Sequence, residues 1–236
     1  MKKLAIIPAY NEEENIDRVI LDLRENAPDF DYIIINDASK DSTLEICKAK
    51  GYHYINMPVN SGIGTVVQAG YKYALQKGAD IVVQFDGDGQ HDASYLRALI
   101  EPIMNRQADF VIGSRFIEKE GFQTSFFRRL GLKFFRGLIH LLTGVTITDA
   151  TSGFRAAGKP AIEFLSNHYA TDYPEPESVV SLIKNGFKVK EIPVKMRERL
   201  GGKSSINFIR SLYYMIKVGL AIIICCMKPK QFRKET

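Results

Sequence analysis

Four short apolar runs stand out along the first half of the chain: Leu4 to Pro8 (LAIIP), Tyr32 to Ile35 (YIII), Ile81 to Phe85 (IVVQF) and Phe110 to Ile112 (FVI). They are rich in β-branched residues and closed by polar or glycine-containing turns, the pattern of strands buried on both faces. Between them lie stretches of helical character at Glu13 to Glu25, Ser42 to Lys50, Gly64 to Lys77 and Ser94 to Asn105. Asp41 stands where a helix N-cap is wanted, and Gly51 and Gly78 stand where helices stop. This alternation predicts an α/β fold, a mostly parallel sheet flanked by helices.

Such sheets bind their ligands outside the carboxyl ends of the strands. Polar clusters sit at those places: AYNEEEN after the first run, NDASKDS after the second, DGDGQH after Phe85 and GSR after Ile112. Each is weak alone; together they converge on one crevice. Asp86-Gly87-Asp88-Gly89-Gln90 is the central signal. Two carboxylates separated by glycine can face one hard cation without obstruction, and Mg²⁺ or Mn²⁺ favours oxygen ligands shared with substrate phosphates. An ordinary Asp/Gly turn is the competing reading of the same residues. Two other glycine-rich turns fail as nucleotide fingerprints. Val67 stands where G-x-G-x-x-G wants its third glycine after Gly62 and Gly64, and Arg197 stands where a P-loop ending in Gly202-Lys203-Ser204 wants its first.

Taken in order, PAYNEEENI, INDASKDST, NSGIGTVVQAG, DGDGQH, GSR and TSGFR resemble family 2 glycosyltransferases. Within that family they are similar to the branch of dolichyl- or polyprenyl-phosphate mannose and glucose synthases, and the similarity covers residues 1 to 205. The resemblance implies a GT-A type fold, a nucleoside-diphosphate sugar donor, a divalent metal (Mg²⁺ or Mn²⁺) and inversion at the anomeric centre. It assigns Pro8, Tyr10 and Glu12 to nucleotide contact and Asp37 to the base, with Asn36 replacing a first aspartate. It assigns Asp86, Asp88 and Gln90 to the metal and diphosphate, and Arg115 to the donor sugar and diphosphate. Arg199, Gly202, Lys203 and Ser204 fall where the family carries a basic loop over the phosphates, although here the lysine precedes the serine pair. Asp149 and Arg155 are placed on the acceptor side.

Charge building on the departing diphosphate calls for a metal and basic side chains. Asp88 and Gln90, through their metal, with Arg115, Arg199 and Lys203, are expected to supply that. A lipid phosphate acceptor is already anionic, whereas a sugar hydroxyl needs a carboxylate base. Asp172, Glu175 and Glu177 in TDYPEPES are the candidates, with Glu177 expected among the catalytic residues. The same acidic, proline-rich stretch also reads as a helix start. The expected reaction is inverting transfer to a polyprenyl phosphate. The alternatives are transfer to a hydroxyl of a cell-surface glycan, and a non-catalytic nucleotide-sugar-binding membrane subunit.

Net charge modifies this picture at one end only. The formal +5 of the 236 residues arises from residues 195–236, which carry about +8, against about −3 for the remainder. A basic tail of this kind suits anionic lipid, and no nucleic-acid recognition motif is present. From Ser204 to Met227 an apolar stripe runs through Ile206, Ile209, Tyr213, Ile216, Leu220, Ile223 and Met227, ahead of Lys230, Arg233 and Lys234. Its fully apolar part is about half of the roughly 20 residues a span requires, so an in-plane interfacial helix is expected. Residues 126 to 142 (FFRRLGLKFFRGLIHLL) read either as a second such segment or as a core-packing helix with a basic outer face. The expected division is a GT-A domain over 1–203 and a membrane-interface helix with basic tail over 204–236. Removal of 206–236 is then expected to free the catalytic body from membranes with partial activity. Attachment is expected at the cytoplasmic face, peripheral or monotopic, with a membrane partner protein or a homo-oligomer as further support. Cys47, Cys225 and Cys226 show neither CxxC spacing nor a disulfide framework. The apolar run at the N-terminus is too short for a signal peptide and reads as the first strand.

Overall fold

A computed structural model describes residues 1–118, 126–172, 174–197 and 208–230, with side chains omitted at 126–130 and 208–214. The chain runs β1 (Lys3–Ala9), α1 (Ile16–Asn26), β2 (Asp31–Asn36), α2 (Thr43–Ala49), β3 (Tyr54–Asn56), α3 (Ile63–Gln76), β4 (Ile81–Gln84) and α4 (Leu96–Met104). It continues through β5 (Phe110–Ser114), α5 (Phe126–Thr143), β6 (Arg155–Gly158), α6 (Lys159–Asn167), α7 (Pro174–Lys184), β7 (Val189–Pro193) and α8 (Phe208–Met227). One seven-stranded sheet has the order β3-β2-β1-β4-β6-β5-β7. All neighbours are parallel except β6, which runs antiparallel to both β4 and β5.

The four predicted strands are β1, β2, β4 and β5. In β1 the period of two splits the chain between layers: Leu4 and Ile6 enter one core, Ala5, Ile7 and Ala9 the other. Pro8 is tolerated because β1 outruns β4. Their pairing ends at Ile6↔Gln84, and beyond it the Pro8 carbonyl accepts the Gly87 N–H at 3.1 Å. The predicted helix stops hold, and Asp41 stands one residue before the N-cap of α2, Ser42. The Asp41 carboxylate accepts the Thr43 N–H at 3.0 Å, and Gly51 and Gly78 end helices at φ +65° and +66°. Gly64 has a packing role. A Cβ there would lie 2.2 Å from the Ala170 carbonyl oxygen, so only glycine lets α3 approach the 170–171 segment.

The tail departs from expectation. Val218, Ile222 and Cys225 of α8 are buried in the same core as Leu4, Phe135 and Leu182. Lys184 at the end of α7 donates to the Cys225 carbonyl at 2.9 Å and to the Lys228 carbonyl, capping the C-terminus of α8. Deletion of 206–236 would therefore strip a wall from the core. The truncated body expected to stay partly active would have to fold without that wall. The boundary expected at 203/204 lies outside the described residues.

Candidate active site

The loops after β1 and β2 are sewn together. Asn11 N–H donates to Ser39 Oγ at 3.0 Å and Lys40 N–H to Asn11 Oδ1 at 2.8 Å. Glu12 N–H donates to Thr43 Oγ1 at 2.8 Å, and the buried Glu12 carboxylate accepts Asn15 Nδ2 at 2.9 Å. Asn11 and Ala38 both take positive φ, 55° and 53°. For alanine that costs on the order of 1 kcal/mol, a strain the surrounding bonds must hold. Tyr10 projects from this rim, 40% exposed.

Asp37 is buried, and its two carboxylate oxygens accept the N–H groups of Ser61 (2.7 Å) and Gly62 (2.9 Å), which fixes the turn that opens α3. Asn36 explains its own departure from the family pattern. Its Nδ2 donates to Asn56 Oδ1 at 2.6 Å while its Oδ1 accepts from Ser39 at 2.5 Å. An ionised aspartate could accept but not donate.

The acidic turn leaves β4 at the centre of the sheet. Asp86 is part-exposed, takes Gln84 Nε2 on Oδ1 at 3.0 Å, and is pushed up by burial against the opposing pull of Gln84, Arg155 and Arg115. Asp88 Oδ1 accepts the Gln90 N–H at 3.0 Å, and the Gln90 carbonyl accepts the Arg197 N–H at 2.8 Å. His91 is buried behind the turn, accepting the Asp86 N–H at 2.9 Å, and burial pushes its imidazole down to about 4. Gly153 lies against the same carboxylate, since a Cβ there would sit 2.6 Å from Asp86 Oδ2. The sequence displayed both His91 and Gly153, in DGDGQH and TSGFR, but no spacing revealed that they meet Asp86.

On the β5 side, Arg115 is clamped by Asp149 through Nε and Nη2, both at 2.7 Å, and donates to Thr151 Oγ1 at 3.1 Å. Asp149 is wholly buried and held in turn by Glu191, which accepts its N–H at 2.8 Å. Arg155 is wholly buried, donating to Ala150 O, Ser152 O, Glu175 O and Ser178 Oγ. It therefore braces β6 against α7 within the core.

The three TDYPEPES carboxylates separate. Asp172 pairs with Lys217 of α8 at 2.7 Å. Glu175 is pushed up by burial and by Asp86, with Arg155 opposing, so its charge belongs to the same cluster as the acidic turn. Glu177 is pushed up by burial, with Lys228 opposing, and lines a 260 Å³ cavity shared with Tyr169, Ser181, Lys184, Cys225 and Lys228. Glu175 and Glu177 thus have different charged surroundings, Arg155 and Asp86 for the first and Lys228 for the second. The helix-start reading also holds, because Pro174 and Pro176 lie in the first turn of α7. Arg199, Lys203, Gly202 and Ser204 lie outside the described residues. Their segment follows Arg197, which is tied to Gln90 and paired with Asp22 at 2.8 Å and Asp92 at 3.0 Å.

The turn suits a hard divalent cation in its donor chemistry: two part-buried carboxylates, one of them pushed up by burial. Among the described residues no cluster of three or more His, Cys, Asp or Glu could hold a metal alone. Such a site completes its shell with phosphate oxygens and water.

The family model described as glycosyl transferase family 2 matches residues 4–165. The chain belongs to this family. This family 2 glycosyltransferase is 34% identical over 213 residues to the UDP-N-acetylglucosamine–dolichyl-phosphate N-acetylglucosaminyltransferase of Methanococcus voltae, covering 80% of this chain and 83% of that one. It is 30% identical to the polyprenol monophosphomannose synthase of Mycolicibacterium smegmatis, covering 87% of this chain and 81% of that one. In fold it is similar to the glucosyl-3-phosphoglycerate synthase of Mycobacterium tuberculosis, solved with Mn²⁺, UDP-glucose and phosphoglyceric acid. That match has TM-score 0.73 at 18% identity and covers 98% of this chain and 81% of that one. The GT-A type architecture is thereby established.

Proposed function

We propose that this glycosyltransferase moves a sugar from a nucleoside-diphosphate donor to a polyprenyl phosphate, with inversion, at the cytoplasmic face of a membrane. The observation that carries the reading is the acidic turn of Asp86 and Asp88 at the mouth of the sheet, in a chain whose curated relatives act on dolichyl and polyprenyl phosphates. Asp86, Asp88 and Gln90 would hold the Mg²⁺ or Mn²⁺, which neutralises charge on the departing diphosphate when bound. Pro8, Tyr10 and Glu12 line the nucleotide side. Asp37 acts there through the turn it fixes, whose polar groups meet the base. The clamped Arg115 offers a cation whose orientation is set before the donor arrives, so little reorganisation accompanies the developing charge. Arg199 and Lys203 would close over the phosphates from the segment that Arg197 anchors.

An acceptor phosphate attacks as an anion and requires no base. Were the acceptor a glycan hydroxyl, one of the TDYPEPES carboxylates, Glu175 or Glu177, would have to take its proton. The exposed faces of α5 and α8 favour the lipid reading. Leu141, Ile216, Leu220 and Met227 point outward, and Lys228 and Lys230 follow. Among the described residues no helix is long and apolar enough to cross a membrane, so α8 would lie in the interface.

The test is incubation with UDP-, GDP- and dTDP-sugars and Mn²⁺, with and without polyprenyl phosphate, read by product mass. A glycosyl-phosphate lipid formed from one donor is expected. Donor turnover only onto glycan hydroxyls would move the acceptor assignment to the alternative, and no turnover with any donor would favour the binding subunit.

A further inference from the structure

The carboxylate of Asp86 is restrained on several sides by groups outside the acidic pair. Gln84 Nε2 donates to Oδ1 at 3.0 Å, and the orientation of that amide is set from below by the buried Tyr169 hydroxyl, which donates to Gln84 Oε1 at 3.4 Å. On the other side, His91 Nδ1 accepts the Asp86 N–H at 2.9 Å. An Nδ1 that accepts carries no proton, so the neutral ring has its proton on Nε2. That nitrogen faces Asp86 Oδ2 at 3.6 Å. The ring cannot turn away, because it is stacked on Phe154 (centroids 4.6 Å, 21° between planes) and meets Phe85 edge-on at 5.6 Å. Gly153 leaves room for Oδ2 where any larger residue would displace it.

A free aspartate samples several rotamers, and ordering one on cation binding costs free energy. Here backbone and carboxylate are both fixed beforehand. We propose that His91 and Gln84 are positioning residues that preset Asp86 for a divalent cation. This rests on the reading of the acidic turn as the cation site. Partners that orient ligating groups typically contribute about 10- to 100-fold in metal affinity.

The experiment titrates Mn²⁺ alone into the purified full-length chain and counts free Mn²⁺ by electron paramagnetic resonance, with thermal unfolding of the metal-free protein measured in parallel. His91→Phe keeps the aromatic stack and removes both polar contacts. Gln84→Met keeps volume and removes the amide donor. Each is expected to raise the Mn²⁺ Kd about 10-fold. His91→Asn, whose Oδ1 can replace Nδ1 as acceptor, is expected to recover part of that loss even though the stack is gone and the unfolding midpoint is lower. Mn²⁺ affinity within twofold of wild type in both His91→Phe and Gln84→Met overturns the proposal, as does affinity that merely follows the unfolding midpoint across the three. The Asp88→Asn control separates the two levels. Equal Mn²⁺ binding by wild type and Asp88→Asn removes the cation site itself, whereas loss only in Asp88→Asn leaves the site and removes the positioning role.

Discussion

Around the ends of β1, β2 and β4, polar side chains are tied to one another: Asn11 to the 39–40 turn, Asp37 to the turn opening α3, Gln84 and His91 to Asp86. The α5–α8 side is built the other way. There Val218 and Ile222 face the core while Ile216, Leu220 and Met227 face out, and the packing is mainly apolar, with the Lys184 cap and the Asp172–Lys217 pair among its polar contacts. The first region must hold fixed dipoles and charges against a nucleotide diphosphate, so its order has to exist before the ligand binds. The second, if it meets a lipid surface as proposed, needs only area and curvature, because such a surface is itself fluid and adapts to the protein.

That contrast breaks most sharply at Asp88. Asp88→Asn is expected to lower kcat by about 100-fold or more, with vesicle binding unchanged; steady-state rates and co-sedimentation check both. Arg115→Lys follows. It trades a bidentate clamp for a single point charge opposite the wholly buried Asp149, and about a 10-fold loss of kcat/KM with a lower unfolding midpoint is expected. On the apolar side, Leu220→Glu should weaken co-sedimentation with anionic vesicles about 10-fold, from the loss of roughly 1.5–3 kcal/mol of side-chain burial in lipid. Its unfolding midpoint should hold. Ile222→Ala, on the core face of the same helix, should instead cost about 2–5 kcal/mol of stability. The smallest effect is expected for Glu177→Gln, under about twofold in transfer to polyprenyl phosphate. A large loss there would place the acceptor chemistry in the α7–α8 cavity.

Much of this was legible in the residues, for physical reasons that differ by element. β1, β2, β4 and β5 announced themselves because burial on both faces demands β-branched runs. β6 did not, because RAAG is short, mostly small, and opens on an arginine that is buried only through its bonds to α7 and the preceding loop. β7, with its part-buried VKEIP, carried too weak an alternation for an edge strand, and β3 is three residues long. The apolar stripe of α8 was found by its intervals of three and four. Period alone does not say which side a stripe takes, and on a helix apolar all round the core uses another face. The choice among the TDYPEPES carboxylates turned on the same geometry. Glu175 and Glu177 are two positions apart, about 200° around a helix, so the two carboxylates face different surroundings, with Arg155 and Asp86 acting on one and Lys228 on the other. His91 and Gly153 were visible as letters, but His91 meets Asp86 by folding back five residues within the turn, and Gly153 is brought there by β4 pairing with β6, which joins residues far apart in the chain.

The most direct measurement is anomalous diffraction at the manganese edge from crystals grown with Mn²⁺ and a nucleoside diphosphate. A single strong peak bridging the carboxylates of Asp86 and Asp88 and the diphosphate oxygens is the result expected. A diphosphate bound at the mouth of the sheet with manganese absent from those two side chains, or seated elsewhere, would contradict the account.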